Sequence, residues 1–349
     1  MSLLFLDSFD HYDEPELKWD ALFFATNILP VQSQGRFTPG ALQMKGTGGG
    51  GSITKNLPET TEIIVGFAHL NADSSTRTSQ FTLGTVWSAS DYRLTVNTTT
   101  GVITLTGGNG GGEIISTAGG VATGGVWQFI EFRIKLHASL GELEIRVGNS
   151  VEASVTGVNT ITSTGVALLN FAVVSTHNSQ FSFIDDLYIS NTDGTVNNTF
   201  VGDSRITVLR PKANGSSISF TPTGAATNYE TQDETLCDKD VSFVESGQIG
   251  SRDNYDNVEF EDLGVVPGTI YGVQVVNAAL KTDAGELRYL DEMTVAGVTY
   301  DNGVEVTATS GAYKMTRFIR DTDPSDDGTW TEDKVAAVGS GFSITFREV

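Results

Sequence analysis

The chain is poor in positive charge and in cysteine. Its 349 residues include 21 Lys and Arg against 43 Asp and Glu, a formal net charge of −22. Because such a surface repels phosphates, we expect no binding to nucleic acid. Cys237 is the single cysteine, which excludes a disulfide framework and a cysteine-rich zinc site. The acidic excess is typical of a surface that resists self-association.

Long apolar runs and helical patterns are also missing. No apolar stretch approaches the roughly 18 residues that cross a bilayer, and the start MSLLFLDSFD lacks the basic region of a signal peptide. We therefore expect no membrane insertion and no cleaved leader. Gly contributes 39 residues, and β-branched residues are frequent. This mixture predicts an almost entirely β chain with many tight turns.

The residue patterns of common catalytic and cofactor sites are absent as well. The spacing Glu-x-Asp-x-x-Glu, which places glycosidase carboxylates on one strand face, does not occur. The four histidines are scattered, without a second ligand at metal-binding spacing. There is no Gly-Lys dipeptide and hence no phosphate-binding P-loop. We expect a protein that is not an enzyme and uses no cofactor.

Alternating and apolar runs divide the chain into two predicted β domains joined by a strap. The first domain covers residues 1–200, the connecting strap residues 201–228 and the second domain residues 229–349. Strands at such short spacing, without helices between them, favour an antiparallel sandwich in the first domain and a second, smaller sandwich after it. Predicted strands of the first domain lie at 3–9, 62–70, 80–86, 92–97, 101–106, 126–136, 142–147, 167–175 and 181–190.

The second domain has its own strand and helix signals. Strands are predicted at 256–263, 269–278, 297–300, 304–310, 313–319 and 342–346. A short helix is predicted over Thr331–Val338, with Thr331 as its N-cap. This pattern completes an all-β prediction for the chain.

Three motifs in order carry a family resemblance. Trp127–Ile134 reads W-x-x-I-E-x-x-I, Gly141–Gly148 is a hairpin strand GELEIRVG, and Ile184–Tyr188 reads IDDLY. Together with FLDSFDHY near the start and GDSRITVLRP after residue 201, they resemble phage virion proteins that begin with a concanavalin A-like (laminin G-like) β-sandwich. The resemblance implies a jelly-roll sandwich as the first domain.

The same resemblance implies a function in a virus particle. It implies a non-enzymatic structural protein, tail- or fibre-associated, that works as a homo-oligomer in contact with other virion proteins or the host surface. Its location would be the virion, assembled in the host cytoplasm. A capsid decoration protein and a carbohydrate-binding module that binds a host-surface glycan stay open as alternatives. A polysaccharide depolymerase is the least favoured.

Calcium is the one metal for which the sequence offers candidates. Asp323 and Asp327 stand at the first and fifth positions of an EF-hand-like loop, but its twelfth position is Lys334, where a bidentate Glu is required. Asp185 is a further candidate, because lectin-like sandwiches hold calcium through loop acids. The simpler interpretation is that one of Asp185 and Asp186 is an inward, hydrogen-bonded carboxylate and the other is an exposed neighbour. We therefore predict no metal.

Two kinds of surface site remain. Trp87 and Trp127 could stack on a sugar ring, although core packing is the simpler explanation for most of the tryptophans. Residues 229–262 hold eleven acidic residues against Lys239 and Arg252. A solvated face is the default explanation for this segment. A docking surface for a basic partner is the alternative, with these candidate residues: Glu230, Asp233, Glu234, Asp238 and Asp240.

Overall fold

The computed structural model describes residues 1–23, 27–45, 50–72, 78–85, 91–107, 112–161, 167–175, 181–308 and 310–347. The chain forms two compact units, Met1–Ile206 and Thr207–Val349. Within the described residues the structure is almost entirely β, as the sequence predicts.

The first unit is built from antiparallel strands. In chain order they are β1 Leu3–Asp7, β2 Ala21–Phe23, β3 Ile28–Val31, β4 Ala41–Lys45, β5 Gly51–Thr60, β6 Glu62–Asn71, β7 Thr78–Gly84, β8 Tyr92–Asn97, β9 Val102–Gly107, β10 Gly112–Ser116, β11 Gln128–Lys135, β12 Gly141–Val147, β13 Ser150–Val158, β14 Leu168–Ser175 and β15 Phe181–Asn191.

These strands form two sheets that pack face to face. Sheet A has the order β13-β12-β11-β6-β15-β4-β3, with β1 also paired to β15, and sheet B has the order β10-β9-β8-β7-β14-β5-β2. Phe67 of sheet A and Phe81 of sheet B meet between them, with ring centroids 4.3 Å apart. This contact identifies the inner faces, and the predicted jelly-roll-like sandwich is confirmed.

Strand prediction succeeded where the local pattern was strong. Strand β8 matches its predicted range, and β6, β11, β12, β14 and β15 match theirs to within two residues at each end. The long apolar run of β6 is buried on both faces, because sheet B covers its inner face and the Tyr188 ring lies against Gly66 on its outer face. The sequence missed β2 to β5, β10 and β13, whose patterns are weak.

The hairpin between β12 and β13 has a two-residue turn. Val147 pairs with Ser150, and the intervening Gly148 and Asn149 have φ of 54° and 73°. Two positive φ values define the turn type whose twist matches antiparallel strands. The hairpin predicted from GELEIRVG is thus present.

The N-terminal motif forms a buried polar network. Asp7 accepts hydrogen bonds from Tyr12 O–H at 2.6 Å and from Lys18 Nζ at 3.0 Å. Tyr12 in turn accepts from Trp19 Nε1 at 3.0 Å. All four side chains are buried, so the ion pair is satisfied inside the aromatic end of the core.

The second unit is also antiparallel. Its strands are β16 Pro211–Ile218, β17 Thr221–Thr223, β18 Phe243–Glu245, β19 Arg252–Asn257, β20 Val273–Ala279, β21 Leu287–Val295, β22 Val298–Asp301, β23 Val306–Thr307, β24 Lys314–Arg320 and β25 Val338–Arg347. Sheet C has the order β16-β19-β25-β21-β22, with β23 also on β21, while β17-β18 and β20-β24 form small separate sheets.

A compact apolar cluster holds the second unit together. Met293 of β21, Phe318 of β24 and Trp330 are each at most 3% exposed and belong to one cluster. The helix α1 Glu332–Ala336 adds Val335 to it. Thr331 is the N-cap of α1 and accepts a hydrogen bond from Lys334 N, which confirms the predicted cap.

Two predicted segments of this unit differ in the structure. The strand predicted over residues 256–263 ends at Asn257, and a 3-10 turn occupies Glu261–Leu263. Residues Pro211–Ile218, predicted within the connecting strap, pair with β19 at the edge of sheet C. Their pairing partner lies about forty residues later in the chain, which a local pattern does not reveal. Among the described residues no helix is long and apolar enough to cross a membrane.

Candidate functional site

The EF-hand-like loop of the second unit contains a cation supplied by the chain itself. Lys334 Nζ donates to both carboxylate oxygens of Asp326 at 2.8 Å and lies 3.3 Å from Asp323 Oδ2. Asp323 is fully buried, and its Oδ1 accepts from Ser325 N. Asp327 is in the left-handed region at φ 55°. Lys334, the residue that departs from the calcium-binding pattern, therefore supplies a positive charge to the carboxylates of the loop.

A similar arrangement surrounds Asp185 and Asp186 in the first unit. Asp185 accepts from Arg36 N at 2.8 Å and from Asp186 N at 2.7 Å. The guanidinium of Arg36 lies 3.7 Å from Asp186 Oδ2 and 2.6 Å from Asp203. Burial, followed by the charge of Asp186, raises the pKa of Asp185, and burial raises the pKa of Asp186.

The prediction that one of Asp185 and Asp186 is exposed was wrong, because Asp186 is buried as well as Asp185. The side chain of Asp186 is 2% exposed, because the register with β6 shifts between Asp185 and Tyr188 and Asp186 has φ 52°. This bulge interrupts the alternation that would place consecutive side chains on opposite faces. In the part of the chain that the structure describes, no three His, Cys, Asp or Glu side chains form a group that could hold a metal.

Four of the five acidic residues proposed for docking accept hydrogen bonds from other residues of the second unit. Glu234 and Asp238 both accept from Ser242 Oγ, at 2.6 and 2.8 Å. Glu230 accepts from Thr227 N, and Asp240 accepts from Tyr313 O–H. Asp233 is exposed. These hydrogen bonds stabilise the acidic segment. Its role as a docking surface stays a prediction.

The sugar-stacking site suggested for Trp87 and Trp127 stays a prediction. Trp19 is buried in the N-terminal network. Trp127 is half-buried and immediately precedes β11 of sheet A. Trp87 lies outside the described residues.

The outer face of sheet A is covered by the residues that follow β15. Gly202 N donates to Glu131 at 2.8 Å and Ile206 N donates to Asp186 at 2.7 Å. The guanidinium of Arg146 lies 3.9 Å from the centre of the Phe200 ring. We call residues 192–206 the covering segment. It occupies the face of sheet A that points away from the core.

The outer face of sheet B has a different character. Residues paired across adjacent strands share a face, so the register defines two rows of outward side chains. Row 1 consists of Phe23, Ser52, Val174, Gln80, Thr95, Thr104 and Ser116. Row 2 consists of Ala21, Thr54, Ala172, Thr82, Arg93, Thr106 and Glu113.

The side chains of the two rows differ in length and in exposure. Thr82 and Ala172 are 4% and 6% exposed, whereas Gln80 and Thr95 are half-buried and Arg93 is exposed. Phe23, at the β2 end of row 1, is 62% exposed. With strands about 4.8 Å apart, the rows extend for about 29 Å. The face offers hydroxyl and amide groups along a line, with an accessible aromatic ring at one end.

Arg93 is unusual among the arginines of this acidic chain. Among the described residues its guanidinium has no hydrogen bond, ion pair or ring contact. Arg133 and Arg146 of sheet A, by contrast, pair with Glu62 and Glu144. Row 2 contains one carboxylate, Glu113, and the intervening Thr106 separates it from Arg93.

Sequence reasoning missed this face for a specific reason. Strands β7, β8 and β9 were predicted, and their alternation places Gln80, Arg93 and Thr104 outward. The sequence does not show that β14 and β5 continue the same sheet. The alternation of Thr with apolar residues in YRLTVN and VITLTG was the available signal.

Comparison with known proteins finds similarity to solved structures but none to a family model or a curated sequence. No family model matches the chain, and no curated protein matches its sequence. Solved structures with similar folds include an endo-β-1,4-glucuronan lyase from the fungus Trichoderma reesei, at 12% identity, 52% of this chain, 93% of that chain and a TM-score of 0.38.

Two other solved structures are similar to a comparable degree. One is the carbohydrate-binding module CBM66 from Bacillus subtilis, at 8% identity, 43% of this chain, 86% of that chain and a TM-score of 0.31. The other is the cellulose induced protein Cip1, at 9% identity, 58% of this chain, 94% of that chain and a TM-score of 0.36. Likenesses at this level assign neither a ligand nor a reaction to this chain.

Proposed function

We propose that this chain is a non-enzymatic binding protein whose first unit binds a glycan along the outer face of sheet B. The observation that carries this proposal is the pair of polar rows on that face. Threonine, serine and glutamine side chains supply both donors and acceptors, which is what a ligand rich in hydroxyl groups requires. A long, shallow face also suits an extended chain better than a small molecule.

The accessible aromatic ring supports the same proposal. Phe23 is 62% exposed at the end of row 1, and its neighbour across the strands is Ser52. An exposed large apolar side chain beside polar groups favours contact with a ligand that has an apolar face and a polar rim. A pyranose ring has both.

The distribution of carboxylates favours binding over hydrolysis. Glycoside hydrolysis needs an acid and a base or nucleophile on facing carboxyl groups about 5 to 9 Å apart. The two rows contain Glu113 as their only carboxylate, and it accepts a hydrogen bond from Ser116 at 2.7 Å.

A pair of matched variants tests the proposal. Thr95 and Thr156 both point outward, Thr95 on row 1 of sheet B and Thr156 on the edge strand β13 of sheet A. We expect Thr95→Trp to abolish binding to glycans identified on an array, and Thr156→Trp to leave it unchanged. Phe23→Ala should weaken binding about tenfold. Equal binding by the two Trp variants would place the ligand elsewhere.

A second proposal concerns the setting in which such binding would occur. The three motifs and the GDSRITVLRP continuation resemble phage virion proteins, which favours a particle protein on the tail or a fibre, with capsid decoration as the alternative. Homo-oligomerisation, contact with other virion proteins and location in the virion belong to this proposal. Mass spectrometry of purified particles is the test, and absence from particles of a phage that expresses the protein would refute it.

A further inference from the structure

We infer that the glycan bound along sheet B carries carboxylate groups, and that Arg93 binds one of them. This inference depends on the proposed glycan-binding function and names the class of sugar, a uronate. It does not depend on the particle setting.

The first reason is the state of the Arg93 guanidinium. The chain has 43 acidic residues and 21 basic ones, so an arginine has an abundance of carboxylates with which to pair. Yet in the described part of the chain the Arg93 side chain is exposed and contacts no acid. An exposed, unpaired guanidinium in the middle of a sheet face is a binding group that the fold leaves for a ligand.

The second reason is the arrangement of its neighbours. Arg93 pairs across the strands with Thr82 on one side and Thr106 on the other, with Cβ atoms about 4.5–5.5 Å apart. Glu113 lies two strand spacings away, about 10 Å, and among the described residues it forms no ion pair with Arg93. Thr82 is 4% exposed and belongs to the buried part of row 2 beside the guanidinium. The half-buried Thr106 hydroxyl donates to Arg93 O at 3.4 Å and can still accept a hydrogen bond from a sugar hydroxyl next to a bound carboxylate.

The third reason is the geometry and number of charges. A guanidinium presents paired N–H donors that match the two oxygens of a carboxylate. A polyphosphate or nucleic acid would require several cations, but Arg93 is the one cationic side chain in rows 1 and 2. A single bidentate contact beside the Thr106 hydroxyl suits one uronate within a glycan chain.

The test uses matched ligands. Oligosaccharides of galacturonic, glucuronic and mannuronic acid are compared with their carboxyl-reduced, neutral counterparts by calorimetric titration against the full chain. We expect at least one uronate to bind at least about tenfold more tightly than its reduced partner. Arg93→Gln should remove that difference, and Arg93→Lys should retain part of it. Lys212→Gln, an exposed change in the second unit, should retain all of it.

The possible failures are distinguishable. If the wild type binds uronates and their reduced partners equally, and Thr95→Trp abolishes both, the inference is overturned while the glycan-binding proposal stands. If neither class binds, both are overturned. Binding to sulfated but not to uronate sugars would overturn the assignment to a carboxylate. Unchanged unfolding temperatures of the Arg93 variants will show that lost preference is not lost folding.

Discussion

Tyr188 donates a hydrogen bond to Glu131, and this contact joins two of the three motifs that mark the sequence. Both side chains are buried on the outer face of sheet A. The same carboxylate accepts from Gly202 N at 2.8 Å, and Val201 N donates to the Tyr188 hydroxyl at 3.2 Å. The pair thus anchors the covering segment. Burial raises the pKa of Glu131.

Gly66→Ala should loosen the covering segment. A Cβ at residue 66 would collide with the Tyr188 ring, so the ring must move and its hydrogen bond to Glu131 must weaken. We expect the free energy of unfolding to fall by about 1–3 kcal/mol and limited proteolysis to cut within residues 192–206. Gly112→Ala is the matched control, because a Cβ there meets no atom. Identical cleavage of the two variants would contradict this account.

Asp186 should make the first unit less stable as the pH rises. Burial raises its pKa to about 6, above the value of about 3.9 in an unfolded chain. Its contribution is therefore fully present below about pH 4 and is lost as the pH rises through 6. Asp185, whose pKa is also raised by burial and by Asp186, acts in the same direction.

Urea unfolding at several pH values measures this effect. Relative to Asp186→Asn, the wild type should lose stability between about pH 4 and pH 7, while the exposed control Asp13→Asn should follow the wild type. Asp10, Arg36 and Arg205 also act on Asp186 and are unchanged in both variants. The same pH dependence in wild type and Asp186→Asn would show that Asp186 is not its source.

Lys334 should stabilise the second unit in place of a metal. Lys334→Met removes the ammonium from Asp323 and Asp326, which leaves a buried carboxylate without its counterion. We expect a lower unfolding temperature for this variant than for the exposed control Lys212→Met. Calcium and a chelator should leave the wild-type unfolding temperature unchanged. A large rise with calcium would refute the interpretation of the loop.

Phe81 should be among the most important core residues of the first unit. It is 1% exposed and contacts Phe67 of the facing sheet. Phe81→Ala should lower the free energy of unfolding by about 3–5 kcal/mol, as measured by denaturant unfolding. Val151→Ala, at a side chain that is 54% exposed, should change it by less than about 0.5 kcal/mol. Similar losses in the two variants would place Phe81 outside the core.

The predicted sites show where sequence reasoning is strong and where it is weak. Thr331 was identified as a helix cap because its partner is three residues away. One of Asp185 and Asp186 was predicted to be exposed, but both are buried, because a bulge in the pairing of β15 with β6 interrupts the alternation there. The sequence shows that Lys334 stands where a calcium ligand is needed. That its ammonium pairs with Asp323 and Asp326 is visible only in the folded loop.

The sequence by itself determined that this protein is β-rich, acidic and without a disulfide or P-loop, and it located most strands with clear alternation. These properties depend on composition and on neighbours a few residues apart. Only the tertiary structure decided that Thr82, Arg93 and Thr106 stand in one row, and that the covering segment occupies sheet A and not sheet B. Strand order and register depend on contacts between residues far apart in the chain, and local patterns do not encode them.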